Sequence, residues 1–174
     1  MDKKTRSRMA SSARSDWRTP NQILAAIVAT IGKIALDPCA SSYKRHHFAA
    51  VNLSKSRDGL KHSAPWPRRA VTFVNPPYGR EIVAWAKLAA EQAKLGAKIV
   101  MLVPARVDTQ WWRLLLEQEP LILFLGNRIR FVGAPDLAMF PSAIVTFHVS
   151  GEALESLARL LPGWICFPFR PSWA

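Results

Sequence analysis

Four consecutive residues carry the most chemically specific groups in the chain. They are Asn75-Pro76-Pro77-Tyr78, and they follow an apolar run at residues 71–74. Two successive prolines fix the backbone and remove two N–H donors. Such a rigid turn is suited to orient the polar groups of its neighbouring residues and less suited to pack them in a core. The Asn75 side-chain oxygen and the Pro76 carbonyl are acceptors that can converge on one amine. Tyr78 offers a flat face on which a base can stack.

This arrangement suits methyl transfer to an amino group that is conjugated to an aromatic ring. Such an amine is a poor nucleophile, so placing it and stabilising its developing positive charge supply most of the catalysis. The alternative is a proline-rich turn that only ends a strand. The apolar strand predicted before the turn and the helix predicted after it favour the chemical interpretation.

The surrounding elements predict an α/β fold whose sheet is mostly parallel. Apolar runs at residues 34–36, 71–74 and 98–103 predict strands buried on both sides, as in a sheet with helices on both faces. Apolar residues at helical spacing predict helices over about 21–31, 81–95, 109–118 and 152–161. Closely spaced later runs predict strands and an antiparallel hairpin at one edge, over residues 121–125, 128–132 and 143–149.

Polar residues follow two of the predicted strands at the point where each strand ends. Asp37-Pro38 comes after the first apolar run, and Asn75-Pro76 comes after the second. Ligands of open α/β sheets bind at the carboxyl ends of the strands, so both pairs are expected to face one crevice. Before the first helix, Thr19 is expected to act as the cap, with Pro20 in the first turn.

Composition points to a polyanionic partner. The 174 residues include 24 Lys and Arg against 12 Asp and Glu, a net charge of +12, which favours nucleic acid. Two cysteines and four histidines show no metal-ligand spacing, and no apolar run is long enough to cross a bilayer. We therefore expect no metal, no membrane and a cytoplasmic location. The oligomeric state stays open.

The chain is expected to form one domain with two extensions. Residues 1–15 are predicted to be a flexible basic arm, either solvated or in contact with DNA phosphates. Residues 16–161 are predicted to form the folded domain. Residues 162–174 are rich in proline and aromatic side chains and are predicted to be a tail.

The order of several short motifs resembles one known family. It is similar to the phage-type DNA N-6-adenine methyltransferases, the Dam-like family of phages and prophages, over roughly residues 16–149. The residues that carry the resemblance are Asp16-Trp17-Arg18-Thr19-Pro20, Leu36-Asp37-Pro38-Cys39-Ala40, Asp58-Gly59-Leu60, Trp66, Asn75-Pro76-Pro77-Tyr78, the run 102–109, Trp112 and Gly126-Asn127-Arg128-Ile129-Arg130-Phe131.

This resemblance implies a Rossmann-like, S-adenosylmethionine-dependent enzyme in a bacterial or phage-infected cell. It would methylate the exocyclic amine of adenine in double-stranded DNA after flipping the base out of the duplex. The implied catalytic residues are Asn75, Pro76, Pro77 and Tyr78. The implied cofactor residues are Thr19 and Pro20 at the methionine end, Asp37, Pro38, Cys39 and Ala40 beneath the cofactor, and Asp58 at its adenine. An ionised Asp37 can accept hydrogen bonds from the cofactor ammonium.

Two further groups of side chains have more than one interpretation. Arg106, Arg128 and Arg130 are candidate contacts to DNA phosphates, although a solvated surface explains the last two equally well. Trp111 and Trp112 either pack in the core or line the side of the site that receives the target base.

The sequence departs from the family pattern near the cofactor. The motif at Asp37 lacks a glycine-rich turn, and no Asp or Glu lies between Ala40 and Asp58, where most enzymes of this fold hold the ribose. Asn52 can substitute, or the ribose is held differently. Two alternatives therefore stay open. One is methylation of another planar amine, in cytosine, an RNA base or a protein glutamine; the other is a non-enzymatic DNA-binding module on a decayed methyltransferase fold.

Overall fold

The computed structural model describes residues 17–41, 47–54, 58–61 and 64–168. The predicted basic arm and the last residues of the predicted tail lie outside these ranges. The helices are α1 (Asn21–Thr30), α2 (Ile82–Lys94), α3 (Gln110–Leu116) and α4 (Gly151–Leu160), with a 3-10 turn at Gly59–Lys61. The strands are β1 (Ile34–Asp37), β2 (Val51–Asn52), β3 (Val71–Val74), β4 (Ile99–Pro104), β5 (Leu121–Leu125), β6 (Ser142–Phe147) and β7 (Gly163–Cys166).

The strands form one seven-stranded sheet in the order β2-β1-β3-β4-β6-β5-β7. The first four strands of this order run parallel to one another. Strand β6 lies antiparallel between β4 and β5, and β7 pairs antiparallel with β5 at the edge. The prediction of a mostly parallel α/β sheet is confirmed for these first four strands. The predicted antiparallel hairpin differs, because β6 is inserted within the sheet.

Helices cover both faces of the sheet, which explains why its central strands are apolar throughout. All six residues of β4 are buried, and so are all six of β6. Met101 of β4 belongs to the same core cluster as Trp112 of α3, on the face that α2 also covers. Its neighbour Leu102 belongs to the opposite cluster, with Ile27 of α1 and Leu157 of α4. Both Trp111 and Trp112 are buried in the core, which favours their packing role.

The prediction of a strand over residues 128–132 is wrong. Apart from an isolated bridge between Arg18 and Val132, this segment is irregular. Its side chains still alternate: Ile129 and Phe131 are buried in the α1 cluster, while Arg128 and Arg130, which alternate with them, are exposed. The alternation therefore comes from packing against that cluster, and the free edge of β5 is taken by β7 instead.

Strand β7 lies in the segment that the sequence suggested was a tail. It alternates half-buried and exposed residues, as expected of an edge strand. A Cβ at Gly163 would lie 2.0 Å from the Phe124 carbonyl oxygen, so only glycine allows this close pairing. Residues 163–166 thus extend the sheet.

The start of α1 also differs from the prediction. Pro20, with an extended backbone, is the N-cap residue, and its own side chain makes no capping hydrogen bond. Thr19 does not cap the helix, because its hydroxyl oxygen accepts a hydrogen bond from Asn75 instead. No helix in the described ranges is long and apolar enough to span a bilayer.

Candidate active site

The ends of β1 and β3 come together at the carboxyl edge of the sheet. The two strands are parallel neighbours, so Asp37 at the end of β1 and Asn75 just after β3 lie at the same edge of the sheet. Cys39 lies between them. Burial raises the pKa of its thiol well above the usual value, the charge of Asp37 raises it further, and a hydrogen bond with the Asn75 backbone lowers it. The two strand-end turns therefore touch through Cys39.

Asp37 is a buried carboxyl group at the end of a parallel strand. Its side chain is only 5% exposed, and its Oδ1 accepts a hydrogen bond from the Cys39 backbone N–H at 3.0 Å. Burial raises its pKa from 3.8 to about 7, which the bond from Cys39 partly opposes. Within the described part of the chain, no lysine or arginine pairs with this carboxyl group. A cation placed beside it would favour the ionised form.

A cavity of about 730 Å³ opens at this edge of the sheet. Its size lies within the range of small-molecule and cofactor sites. Most of the residues proposed from the sequence line it: Thr19, Asp37, Pro38, Cys39, Ala40, Asp58, Asn75 and Pro77. Pro20, Pro76 and Tyr78 do not line it. Asp37 and Asn75 thus share one crevice, as expected, although Pro76 of the second strand-end pair does not reach it.

Several lining residues were not proposed from the sequence as site residues. Arg18 is the only arginine or lysine among the described residues that line the cavity. Phe48 and Trp85 contribute aromatic surface. Arg18 stands beside Thr19 in the motif that carries the resemblance, and that position was a usable signal. Trp85 shows only helical spacing, which does not distinguish a core tryptophan from a lining one.

The end of β2 offers a serine to the cavity. Asn52 does not line the cavity; its amide donates to the Ala49 carbonyl at 2.6 Å, and its buried side-chain oxygen has no partner within the described structure. Ser54, two residues later, does line the cavity. Of these two residues, Ser54 is therefore the better placed to meet a ligand.

The turn at Asp58 closes against the end of β1. A Cβ on Gly59 would lie 2.0 Å from the Pro38 carbonyl oxygen, so glycine is needed for this contact. The Asp58 carboxylate lies 3.1 Å from the Lys61 ammonium in a surface ion pair. Asp58 therefore reaches the cavity from its rim, and its carboxylate also faces solvent.

Asn75 has a hydrogen-bond partner on each side of its amide. Its Nδ2 donates to the Trp17 carbonyl and, at 3.0 Å, to the Thr19 hydroxyl oxygen. Its Oδ1 accepts from the Tyr78 hydroxyl at 2.7 Å. The segment just before α1 thus holds the nitrogen end of the amide, and Tyr78 occupies the oxygen end.

The Tyr78 ring is packed in an aromatic cluster. It lies edge-on to Phe131 and Phe140, with centroids 5.9 and 5.4 Å away. Trp17 contacts Phe131 from the other side at 5.4 Å. Burial raises the pKa of the Tyr78 hydroxyl, and nearby Cys39 raises it further, so the hydroxyl stays protonated and able to donate. The aromatic cluster (Trp17, Tyr78, Phe131, Phe140) therefore borders Asn75.

The arginines proposed for nucleic acid lie outside the main cavity. Arg106 is exposed just after β4. Arg128 and Arg130 are exposed and line a second groove of about 580 Å³, between α1 and the end of α4. Arg128 also donates to the Ala138 carbonyl at 3.2 Å. The structure thus brings two of the three arginines together. No cluster of three or more potential metal ligands is found among the described residues.

The α/β fold has a ligand-sized cavity at the strand ends of its mixed sheet, and an Asn-Pro-Pro-Tyr turn borders this cavity. This arrangement is consistent with a methyltransferase. Comparison with known proteins defines the class further. The chain belongs to the DNA N-6-adenine-methyltransferase (Dam) family, whose model matches residues 6–139. It is also 31% identical over 101 residues to a DNA N-6-adenine-methyltransferase of Escherichia phage T1. That alignment covers 58% of this chain and 40% of the phage protein, so the chain spans less than half of that relative.

Proposed function

We propose that this protein transfers a methyl group from S-adenosylmethionine to the exocyclic amine of adenine in DNA, on a Rossmann-like methyltransferase domain. One observation carries the proposal. The Asn75 amide nitrogen is held by two acceptors, so its oxygen remains the acceptor on a rigid turn beside a cofactor-sized cavity. Membership of the adenine-methyltransferase family supports the choice of amine.

The cavity fits the charges of S-adenosylmethionine. The methionine end of this cofactor carries an ammonium and a carboxylate, and the cavity offers Asp37 for the first and Arg18 for the second. The buried Asp37, which lacks a basic partner among the described residues, is the group that would gain most from a cation. When bound, the cofactor supplies an electrophilic methyl group. The protein supplies orientation and a dry environment.

The target amine would take the place of the Tyr78 hydroxyl at Asn75. Oδ1 accepts from that hydroxyl in this structure, and an amine N–H can make the same bond. The Pro76 carbonyl would accept the second hydrogen of the amine. These two bonds direct the nitrogen lone pair and stabilise the positive charge that develops on it. The Tyr78 ring would then turn from the aromatic cluster and stack on the flipped base.

Duplex DNA is the proposed substrate because the chain is strongly basic and adenine hides its amine within the base stack. A net charge of +12 favours a phosphate backbone. Arg106, Arg128 and Arg130 are exposed and are proposed to contact phosphates. Flipping the base out of the duplex would bring its amine to Asn75.

A methyl-transfer reaction on DNA, followed by digestion to nucleosides and mass analysis, tests this function. N6-methyladenine is the expected product. Asn75→Ala should lower the rate about 100- to 1000-fold, because one lost bond in a preorganised site costs roughly 2.7–4 kcal/mol. S-adenosylmethionine affinity should stay nearly unchanged. Asn127→Ala, at an exposed asparagine in a loop, is the matched control.

Other products would identify the alternatives. If the methylated product is cytosine in DNA, an RNA base or a protein glutamine, that group and not adenine in DNA is the target. A protein that binds DNA but not S-adenosylmethionine would be the decayed module, and the proposal would be wrong. An Asn75→Ala variant that kept more than about a tenth of the rate would remove Asn75 from the chemistry.

A further inference from the structure

The two ends of the Asn75 side chain have opposite chemistry. The oxygen accepts hydrogen bonds, and the nitrogen donates them. An aspartate at this position would present an acceptor in either rotation. An asparagine serves an amine substrate only when its oxygen faces that substrate, so something must fix the amide rotation.

The Trp17 carbonyl decides which end lies where. A backbone carbonyl only accepts, so the amide group that bonds to it must be Nδ2. The Thr19 hydroxyl oxygen accepts from the same nitrogen at 3.0 Å, and Thr19 is buried. The reversed amide would place Oδ1 against the Trp17 carbonyl, where two acceptors repel each other, and would keep only a bond from the Thr19 hydroxyl, which can also donate. The Tyr78 hydroxyl lies 2.7 Å from Oδ1 and 3.1 Å from the Leu102 carbonyl oxygen, so it can pair with either end of the amide, and the orientation depends on the Trp17 carbonyl.

The segment that carries these two acceptors is itself held in place. The Val132 N–H donates to the Arg18 carbonyl at 2.9 Å, between the two acceptor residues. The Trp17 ring packs against Phe131 with centroids 5.4 Å apart. Residues 131 and 132 therefore hold the segment that carries the Trp17 carbonyl and the Thr19 hydroxyl, and Phe131 also contacts Tyr78 of the turn after β3.

We propose that Thr19 is a positioning residue, whose hydroxyl holds the Asn75 amide in the rotation that the Trp17 main-chain carbonyl sets, with the Asn75 oxygen toward the target amine. This inference rests on the proposed function. It assigns Thr19 a role toward Asn75, beyond the cofactor contact that the family resemblance implies. Because the hydroxyl accepts from Asn75, its own proton remains available to the cavity that Thr19 lines. One side chain thus reaches both halves of the site.

Thr19→Val is the main test, because it keeps the shape of the side chain and removes the hydroxyl. The single-turnover rate at saturating S-adenosylmethionine should fall about 2- to 10-fold, the value of one neutral hydrogen bond. Cofactor affinity should change less than the rate does. Thr19→Ser, which retains the hydroxyl, should recover most of the loss. Thr30→Val is a matched control, because the Thr30 hydroxyl bonds only within α1, to the Ala26 carbonyl.

A second measurement reads the amide directly and does not depend on activity. The side-chain NH2 signal of Asn75 can be assigned in a nitrogen–proton spectrum by its absence in Asn75→Asp. In the wild-type protein its hydrogens should exchange slowly with solvent, since each has an acceptor. Thr19→Val should shift this signal and speed its exchange, whereas Thr30→Val should not.

The outcomes separate the inference from the proposed function. If Thr19→Val weakens cofactor binding and leaves the saturated rate unchanged, Thr19 is a cofactor contact and the positioning role is wrong. An unchanged Asn75 signal in Thr19→Val also overturns it. If the wild-type protein transfers no methyl group, the proposed function fails, and the spectrum alone decides whether Thr19 fixes the amide.

Discussion

Replacing Asp37 with asparagine should stabilise the cofactor-free protein above neutral pH. Burial raises the pKa of Asp37 from 3.8 to about 7, so the protonated form favours the folded state. The stability that this group contributes is fully present below pH 3.8. It is lost as the pH rises through 7, because the unfolded chain ionises first. Asparagine cannot ionise, so the variant should lack this dependence.

The magnitude follows from the two pKa values. A change from 3.8 to about 7, at 1.36 kcal/mol for each pH unit, gives roughly 4 kcal/mol at pH 8 and beyond. At pH 5 the same calculation gives roughly 1.6 kcal/mol. The advantage of Asp37→Asn over the wild-type protein should therefore grow by up to about 2.5 kcal/mol between pH 5 and pH 8. The Cys39 N–H can still donate to the amide oxygen, so the turn should keep its shape.

Urea unfolding at several pH values between 5 and 8, without cofactor, measures this difference. Asp58→Asn is the matched control, because Asp58 is 43% exposed and pairs with Lys61 at the surface. An exposed pair of this kind contributes about 1 kcal/mol or less. If the difference in unfolding free energy between Asp37→Asn and the wild-type protein is the same at every pH, burial does not raise the pKa of Asp37 in the folded protein.

The same carboxyl group should give the opposite result in cofactor binding. The cofactor ammonium favours ionised Asp37, so affinity for S-adenosylmethionine should fall as the pH drops below 7, by up to tenfold for each pH unit. Asp37→Asn should bind weakly and lack this pH dependence, although it is more stable. Calorimetry across this range checks both points. Unchanged affinity in the folded variant would remove Asp37 from the cofactor site.

Four more changes have defined outcomes. Tyr78→Ala should lower the methyl-transfer rate far more than Tyr78→Phe, because phenylalanine keeps the stacking ring; equal losses would assign the role to the hydroxyl. Gly59→Ala should cost about 1–3 kcal/mol in urea unfolding, since its Cβ would lie 2.0 Å from a backbone oxygen, whereas Gly79→Ala meets nothing within 4 Å and should cost far less. Arg18→Gln should weaken binding of S-adenosylmethionine roughly 10- to 150-fold but hardly affect its decarboxylated analogue; equal losses for both would exclude a carboxylate contact. Deleting residues 1–14 should make the salt dependence of duplex binding shallower, by about 0.9 for each lost phosphate contact; an unchanged slope would confine those contacts to the rest of the chain.

The parts of the site that could be predicted are those set by local sequence. A buried apolar run that stops at a polar residue and a proline predicts a strand end, and Asp37 and Asn75 both follow this pattern. Both residues lie at one edge because the carboxyl ends of parallel strands share an edge of the sheet, and ligands of such sheets bind at that edge. The sequence thus placed both residues at one crevice without any knowledge of strand order.

The parts that could not be predicted depend on partners distant in sequence. Thr19 has the residue type and position of a helix cap, but an amide 56 residues away takes its hydroxyl oxygen. Residues 128–132 alternate like a strand, yet their alternation comes from packing against α1, and among the described residues they make only an isolated bridge, between Val132 and Arg18. In both cases tertiary contacts override the local preference.

Strand β7 shows a different kind of limit. Its four residues alternate in burial, but prolines and aromatic side chains surround them and are equally typical of an extension. The Tyr78 ring could be recognised as a stacking surface. The packing of this ring in the aromatic cluster could not be predicted, because Phe131 and Phe140 contact it from a segment without regular structure.

The inserted strand β6 affects how the chain can reach its final state. It follows β5 in the sequence yet lies between β4 and β5, and Ile99 of β4 pairs with Phe147 at its far end. Strand β5 joins the rest of the sheet only by pairing with β6, so it cannot be added before β6 is in place. Folding should therefore finish with the C-terminal part of the chain. Before that step, β4 is an open edge of six apolar positions. Chains cut short before residue 142 should therefore aggregate through β4 and should not form a smaller enzyme.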